Sequence, residues 1–252
     1  MIRNLAFNIL LALNLSIAVP LATWAQEVGT AKKSQTKAQA KHKDGNHAAE
    51  ENKKFLDPAL DVEGYVKRFE SNNRDIYAKR GEIVKSLKLQ KGQAVADVGA
   101  GTGLFSRLFA EQVGPAGKVY AVDISPSFVK YIGERAKKDG QTNIKPILGT
   151  QDSPLIEPES VDLIFVCATY HHFEKPEKIL TSFNKSLKPG GRLVVIDFEM
   201  KEGASEFVRG HARAPLAIYL KEMAAAGFEN ITEKSQPLPK LSENFFVILQ
   251  KK

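Results

Sequence analysis

The chain has 252 residues, 43% of them hydrophobic and 26% charged, with a formal net charge of +7. This length suits one sizeable domain with appendages, and the composition excludes a wholly disordered chain or a polytopic membrane protein. Seven of the lysines fall between residues 32 and 54, and the rest of the chain is close to neutral, so no basic face for a nucleic acid is indicated.

The single cysteine, Cys167, excludes an intramolecular disulfide bond and a cluster of thiolate metal ligands. It follows the apolar run 163–166, which is typical of a buried structural thiol. A protein with a large core needs no disulfide even outside the cytoplasm, so cysteine usage does not decide the compartment.

Residues 1–25 have the pattern of a secretory signal peptide. Arg3 precedes the mostly apolar stretch 5–22, and Thr23-Trp24-Ala25 places small residues one and three positions before a cut ahead of Gln26. We therefore expect a periplasmic or secreted protein. The alternative is an uncleaved inner-membrane anchor with a cytoplasmic domain, which the lysines downstream of the apolar stretch favour.

Residues 26–54 are predicted to form a flexible, lysine-rich linker. From Gly29 to Lys54 the only apolar side chain is alanine, so burial cannot offset the entropy lost on ordering. The lysines are interpreted as a solvated tail, with attraction to a membrane surface as the alternative. The globular domain is expected over residues 55–252.

The domain is predicted to open with an amphipathic helix that ends before Lys91-Gly92. Strands and helices then alternate, and Ser125 or Ser127 is suited to cap the helix predicted over residues 127–138. This alternation predicts an open α/β sheet of mostly parallel strands with helices on both faces. The first helix rests on the spacing of Ile76, Tyr77, Arg80, Ile83, Val84 and Leu87, the strands on residues 94–98, 119–122, 144–148, 161–166 and 193–196, and the later helices on residues 104–113, 127–138 and 176–187.

The end of the chain breaks this alternation. Lys188-Pro189-Gly190-Gly191 separates the preceding helix from the strand 193–196, and a further helix over 216–226 closes at Gly227. Two strand candidates follow, 228–232 and 245–249, with only a proline-containing loop between them. Two strands without an intervening helix predict a terminal antiparallel pair.

A glycine-rich turn, Asp97-Val98-Gly99-Ala100-Gly101-Thr102-Gly103, follows the first predicted strand and opens a helix. Open α/β sheets bind their ligands at this place, and glycines there let the backbone approach a ligand closely. Dinucleotide and phosphate binders also use such a turn, so the glycines alone do not identify the ligand.

The charge of this turn separates the candidate ligands. A pyrophosphate at a helix N-terminus favours positive charge, but residues 97–104 include no lysine or arginine and begin with Asp97. S-adenosylmethionine (SAM) carries an ammonium and a sulfonium beside one carboxylate. Asp97 suits the ammonium, and backbone N–H groups of the turn suit the carboxylate. We therefore predict a SAM site that includes Asp97, Gly99, Gly101 and Gly103.

Acidic and amide side chains follow the next two strands. Asp123 ends the second strand, where a carboxylate can accept both ribose hydroxyl protons, although NAD binding would use the same device. Gln151 and Asp152 follow the third strand and can meet the amino group of adenine. Each acid alone also suits a turn or a helix cap. Acids at the ends of three successive strands favour a binding site.

These segments resemble the class I SAM-dependent methyltransferases from about Arg74 to Gln250. The resemblance rests on Asp97 to Gly103, Val119-Tyr120-Ala121-Val122-Asp123, Tyr170-His171-His172-Phe173 and Leu187-Lys188-Pro189-Gly190-Gly191. It implies a Rossmann-like, seven-stranded sheet that ends in an antiparallel hairpin, with SAM as the cofactor. One departure is that Thr150, not an acid, follows the third-strand Gly149, which divides the adenine contact among Thr150, Gln151 and Asp152.

Candidate catalytic residues stand after the fourth strand. Tyr170, His171 and His172 face the predicted cleft, and a histidine there can accept a proton near neutral pH. The alternative is a hydrogen-bonded histidine that only shapes the pocket. Glu174 lies close to both histidines in sequence, but no further ligand pattern accompanies them, so no metal site is predicted.

Two other places are candidates for contact with a methyl acceptor. His211 follows the fifth strand, where members of the resembled family often close over the substrate, although it also suits a solvated loop. Arg74, Tyr77 and Arg80 lie on the leading helix, which in that family often covers the active site. Arginines on an amphipathic helix are more often simply solvated.

The sequence thus predicts a SAM-dependent methyltransferase that acts on a small-molecule or lipid-like acceptor. A non-catalytic SAM-fold binding protein is the first alternative, and the intact Asp97, Gly99, Gly101, Gly103 and Asp123 argue against it. A nicotinamide-dependent oxidoreductase is the second alternative, which the acid at the start of the glycine-rich turn disfavours.

Overall fold

The computed structural model describes the backbone of residues 45–252 and the side chains from residue 48 onward. The predicted signal peptide and most of the predicted linker lie outside the described residues. Within them, seven strands form one sheet in the order β3-β2-β1-β4-β5-β7-β6. The strands are β1 (Ala94–Val98), β2 (Lys118–Asp123), β3 (Ile144–Leu148), β4 (Val161–Cys167), β5 (Leu187–Phe198), β6 (Phe228–Asn230) and β7 (Asn244–Lys251).

Strands β1 to β5 are mutually parallel, and β7 runs antiparallel to both β5 and β6. This topology confirms the predicted Rossmann-like sheet with its terminal antiparallel pair. The bounds of β1 and β3 agree with those predicted from the sequence. Because β1 lies between β2 and β4, its carboxyl end is at the centre of the sheet edge where ligands bind in such folds.

Helices cover both faces of the sheet. They are α1 (Gly45–Lys53), α2 (Val62–Phe69), α3 (Asp75–Ala78), α4 (Arg80–Ser86), α5 (Leu104–Val113), α6 (Pro126–Lys138), α7 (Pro176–Ser186), α8 (Glu206–His211) and α9 (Leu216–Ala225). Buried side chains of α4, α5 and α6 pack on one face, and those of α7 and α9 pack on the other. Successive residues of β1 serve the two cores, Val95 one and Ala96 the other, as the strand period of two requires.

The helix ends follow local signals. The predicted bounds 104–113 of α5 are confirmed, and Ser125 caps α6 because its hydroxyl accepts a hydrogen bond from the N–H of Phe128 at 3.4 Å. The leading helix was predicted as one element, but the chain forms α3 and α4 with a break at Lys79, whose ψ of 12° departs from helical geometry.

Two further predictions are corrected. The segment Lys188 to Gly191 does not precede the fifth strand but is part of β5, because the register with β4 shifts between Val161 and Leu163 and absorbs it. The predicted flexible linker is helical over Gly45–Lys53. Its apolar side chains offer little burial, and a polar contact orders it instead. Asn52 is nearly inaccessible to solvent and hydrogen-bonds to the main domain, which holds this helix in place.

None of the helices formed by residues 45–252 is long and apolar enough to cross a membrane.

Candidate active site

A cavity of about 480 Å³ lies over the carboxyl ends of the parallel strands. Its floor is the glycine-rich turn together with the ends of β1, β2 and β4. Its cover comes from α1, α2 and the segment leading into α3. The predicted site residues that line it are Asp97, Gly99, Gly101, Asp123, Gln151, His171, His172 and His211.

The glycine-rich turn adopts conformations that require glycine. The φ angles of Gly99, Gly101 and Gly103 are 73°, 54° and 72°, in the left-handed region that side chains disfavour. At Gly99 a Cβ atom would stand 2.3 Å from the side chain of Thr169, so glycine is also required for space. Gly103 turns the chain into α5 behind the cavity wall and is not among the lining residues.

The N–H groups of this turn are used within the fold. Those of Gly99 and Ala100 donate to the carbonyl of Val122 at 2.8 and 3.0 Å, and that of Gly103 donates to Ala100 at 2.8 Å. The N–H of Gly101 donates to Oδ2 of Asp123 at 2.8 Å. These four groups therefore have partners within the fold before a ligand carboxylate enters the cavity.

Asp97 lies at the end of β1 and is only 3% exposed. Burial raises the pKa of this carboxyl to about 7, against the hydrogen bond that Ser106 Oγ donates to its Oδ2 at 2.6 Å. An acid held in this way is unstable as an anion until a cation enters the cavity. Asp97 is thus suited to the SAM ammonium, as predicted.

Asp123 lies at the end of the neighbouring strand β2. Burial raises its pKa to about 6, although the N–H groups of Ser125 and Gly101 donate to its two oxygens at 2.9 and 2.8 Å. Each carboxylate oxygen can accept more than one hydrogen bond, so Asp123 retains capacity for the ribose hydroxyls of a ligand.

The residues after β3 divide into two groups. Thr150 and Gln151 line the cavity, whereas Asp152 does not. Asp152 instead pairs with Lys178 at 3.2 Å on the exposed surface. Of the three residues among which the sequence divided the adenine contact, the structure therefore brings two to the cavity.

His171 is held by Asp197, an acid that is not among the site residues predicted from the sequence. Nδ1 of His171 lies 2.8 Å from Oδ1 of Asp197, which is wholly buried at the end of β5. The same carboxylate accepts hydrogen bonds from the N–H groups of His171 at 3.0 Å and of Phe198 at 2.7 Å. The sequence signal that could have indicated Asp197 is its position as an acid at the end of a strand, which it shares with Asp97 and Asp123.

The other two candidates after β4 have different surroundings. His172 lines the cavity with its ring 5.4 Å from that of Phe55, and its carbonyl accepts a hydrogen bond from Asn52 at 3.0 Å. Tyr170 is wholly buried in the core beneath, and its hydroxyl donates to Glu222 at 2.8 Å. The structure does not bring Tyr170 to the cavity.

The remaining predicted contacts lie at the two ends of the cavity cover. His211 stacks on Phe207 with ring centroids 4.0 Å apart, and Phe207 is 53% exposed. Of the three residues predicted on the first helix of the domain, Arg74 lines the cavity, whereas Tyr77 and Arg80 do not.

Aromatic side chains from α2 and nearby segments close the cavity over the glycine-rich turn. The rings of Phe55, Tyr65, Phe69 and Phe128 contact one another, with centroid distances between 5.2 and 6.4 Å. Glu70 fastens this cover by pairing with Arg107 at 3.1 Å and with Arg135 at 3.2 Å. No local sequence pattern predicts this cover, because its residues meet only in the folded chain.

The side chains from residue 48 onward include no group of three or more histidines, cysteines or acids suited to a metal ion. Cys167 lies beside the cavity as a free thiol, and burial raises its pKa.

The class of protein is defined by the parallel sheet and by two buried acids on either side of a left-handed glycine turn. It is an open α/β protein whose cavity fits an adenosyl cofactor with a cationic end.

Comparisons with known proteins identify the family. A family model described as a methyltransferase domain matches residues 89–240. Over 118 residues the chain is 31% identical to the demethylmenaquinone methyltransferase of Listeria welshimeri, an alignment that covers 47% of this chain and 50% of the relative. Over 116 residues it is 36% identical to the protein-L-isoaspartate O-methyltransferase of Aeropyrum pernix, covering 46% and 42% respectively.

The fold is shared with solved methyltransferases. A SAM-dependent methyltransferase from Aquifex aeolicus superposes with a TM-score of 0.62 at 24% identity, covering 82% of this chain and 98% of that one. The chain spans about half the length of the curated relatives it matches. Because the family model covers more than half of the chain, the chain belongs to the SAM-dependent methyltransferase family.

Proposed function

We propose that the chain transfers a methyl group from SAM to a hydroxyl group, or to a carbon acidified by one, on an apolar, planar acceptor. His171, oriented by Asp197, is the base that removes the acceptor proton. The observation that carries this proposal is the 2.8 Å contact between the two side chains at the wall of the SAM cavity.

The hydrogen bonds of Asp197 assign the proton on His171. Both carboxylate oxygens already accept backbone N–H groups, and the ring nitrogen Nδ1 adds a third donor. A buried carboxylate of this kind favours the tautomer with hydrogen on Nδ1, which leaves the lone pair on Nε2. Asp197 also stabilises the imidazolium that forms when Nε2 takes a proton.

The chain has to align the acceptor and remove its proton. SAM supplies a methyl group on a sulfonium, which is already a good leaving group. His171 Nε2 would accept the acceptor proton, which would leave the acceptor oxygen or carbon with the electron pair that a nucleophile needs. The aromatic cover over the glycine-rich turn excludes water from this step.

The wall beyond His171 supports an apolar, planar acceptor. Phe198 lies 5.2 Å from the His171 ring, and Phe207 lies 5.4 Å from Phe198, so a row of rings leads from the base to the cavity mouth. A flat ring system stacks favourably along such a row. The Listeria relative, named as acting on demethylmenaquinone, supports the lipid-like character of the acceptor.

The proposal is tested by transfer of labelled methyl groups from SAM to a panel of phenols, hydroquinones and aliphatic alcohols. We expect an aromatic hydroxyl compound to accept the label. With that acceptor, Asp197→Asn and His171→Gln are expected to lower kcat by roughly 10²- to 10⁴-fold and to keep SAM affinity. A protein that binds SAM but labels no acceptor would instead be the non-catalytic SAM-fold binding protein.

A further inference from the structure

The guanidinium of Arg74 places a positive charge at the SAM cavity. It directly precedes α3, lines the cavity and donates from Nη1 to the carbonyl of Phe69 at 3.2 Å. Its guanidinium lies 5.1 Å from the centre of the Phe69 ring. That ring in turn covers Gly101, where a Cβ atom would stand 3.5 Å from it. Arg74 is therefore on the glycine-turn side of the cavity.

No carboxylate among the described residues lies within ion-pair distance of Arg74. Two half-buried arginines on the helices behind the glycine-rich turn do have such a partner, because Arg107 and Arg135 pair with Glu70. Burial lowers the pKa of Arg74, which is the cost of holding a cation away from water. A half-buried cation without a carboxylate partner, facing a ligand cavity, indicates an anionic group on the ligand.

SAM has one anionic group, the carboxylate of its methionine end, and most N–H groups of the glycine-rich turn are already hydrogen-bonded. The N–H groups of Gly99, Ala100, Gly101 and Gly103 are all used within the fold. A guanidinium offers two parallel N–H donors that match a carboxylate.

The placement of Arg74 relative to Asp97 suits the two charges of an amino acid. Burial raises the pKa of the Cys167 thiol, while the charge of Arg74 opposes this shift and the charge of Asp97 adds to it. Both charged residues also line the same cavity, and Asp97 lies in it at the end of β1. An ammonium and a carboxylate on a single carbon suit an anionic and a cationic side chain that line one cavity.

We infer that Arg74 binds the carboxylate of SAM while Asp97 binds its ammonium, so that the two residues together recognise the amino-acid end of the cofactor. The inference rests on SAM being the cofactor of the proposed function. It gives the cover of the cavity a part in cofactor binding, because Arg74 lies in the segment between α2 and α3.

The test measures the binding of two ligands, S-adenosylhomocysteine and 5′-methylthioadenosine, by calorimetry. Methylthioadenosine has the same adenosine and sulfur but lacks the amino-acid end. Arg74→Met is expected to weaken S-adenosylhomocysteine roughly 30-fold or more and to leave methylthioadenosine within about threefold. Arg74→Lys should retain part of the affinity, because charge remains without the planar fork.

Arg80→Met is the matched control. Arg80 also donates to a main-chain carbonyl, of Tyr77 at 2.7 Å, and stacks on that ring at 4.1 Å, but it lies outside the cavity. It should bind both ligands as the wild type does. Methylthioadenosine binding also reports that each variant is folded.

Three outcomes would overturn the inference. Unchanged affinity of Arg74→Met for S-adenosylhomocysteine would leave the arginine to the acceptor or to the fold alone. Equal weakening of both ligands, or failure of both Arg74 variants to bind methylthioadenosine, would assign it a structural role. A wild-type protein that binds neither ligand would overturn the proposed function as well.

Discussion

At the scale of single residues, the cavity is dominated by carboxylates that the fold keeps out of water. Asp97 and Asp123 end adjacent strands, and burial raises the pKa of both, to about 7 and about 6. Their anionic forms are therefore stabilised mainly by what binds beside them. As the pH rises, the affinity for a cationic ligand should therefore increase, while the stability of the ligand-free protein should decrease.

We expect SAM affinity to fall as the pH drops below about 7, where Asp97 takes up a proton. The ligand ammonium favours the anionic carboxylate, so protonation competes with binding by up to roughly tenfold per pH unit. Calorimetry between about pH 5.5 and 7.5 measures this, and Asp97→Asn should bind more weakly with a flatter pH profile. A wild-type affinity that does not change with pH would contradict the role of Asp97.

The stability of the ligand-free protein should respond in the opposite sense. Because the folded-state pKa of Asp97 lies above its ordinary 3.8, its contribution to stability is full below about pH 4 and is lost as the pH rises through about 7. The melting temperature of Asp97→Asn relative to wild type should therefore rise between pH 5 and pH 8. A difference in melting temperature that stays constant with pH would contradict the raised pKa of Asp97.

Tyr170 provides a contrast with the histidines that follow it. Its hydroxyl donates to Glu222, which also pairs with Arg213 at 2.6 Å. Tyr170→Phe should lower the free energy of unfolding by roughly 0.5–1.5 kcal/mol and keep SAM affinity and turnover. Denaturant unfolding and the methyl-transfer assay measure both. A hundredfold loss of turnover at unchanged stability would make Tyr170 catalytic after all.

At the scale of elements, the cover of the cavity is fastened to the domain at a few points. Glu70, at the end of α2, accepts a hydrogen bond from Thr102 Oγ1 at 2.9 Å and pairs with two arginines on α5 and α6. Asn52 joins α1 to the segment after β4 through His172 and Glu174. The short helices at the start of the domain thus owe their positions to polar contacts as well as to the aromatic cluster.

Glu70→Gln should loosen this cover. We expect a loss of roughly 1–3 kcal/mol of unfolding free energy, because two half-buried arginines lose their charged partner, and a several-fold loss of SAM affinity as Phe69 becomes less firmly held. Glu134→Gln is the control, because its pair with Lys130 spans 3.9 Å between exposed side chains and should contribute little. Equal stability of the two variants would show that Glu70 does not fasten the cover.

At the scale of the whole molecule, the two cores on either side of the sheet belong to one domain, and the first 25 residues differ from it in composition. We propose that these residues direct export and are cleaved after Ala25. The support is the basic start, the apolar stretch and the small residues at the cut. The Asn8 and Asn14 interruptions make the stretch a poor permanent anchor.

The only tryptophan of the chain, Trp24, lies before this cut and reports on it. Protein purified from its native host should begin at Gln26 by intact mass and show tyrosine emission alone. The full-length chain made without processing is the control, with tryptophan emission. Tryptophan emission or a mass that includes residues 1–25 in the native protein would favour the anchored, cytoplasmic alternative.

The sequence by itself determined the alternation of strands and helices from β1 to β5, the sheet class and the cofactor. These properties depend on local signals. Apolar periodicity marks β1, β3 and α5 within their observed bounds, and the glycine-rich turn with its leading acid marks the ligand edge of the sheet. The placement of Asp97 and Asp123 followed, because the carboxyl ends of parallel strands meet at one edge.

The tertiary structure alone decided which side chains share the cavity and which have already used their hydrogen-bonding groups. His171 and Asp197 meet because β4 and β5 are neighbours, and Asp152 turns to Lys178 instead of the cavity. The amides of Gly99, Ala100 and Gly101 are used by Val122 and Asp123, which no local pattern records. Such pairings join residues far apart in the chain, and their energies depend on burial that only the folded molecule creates.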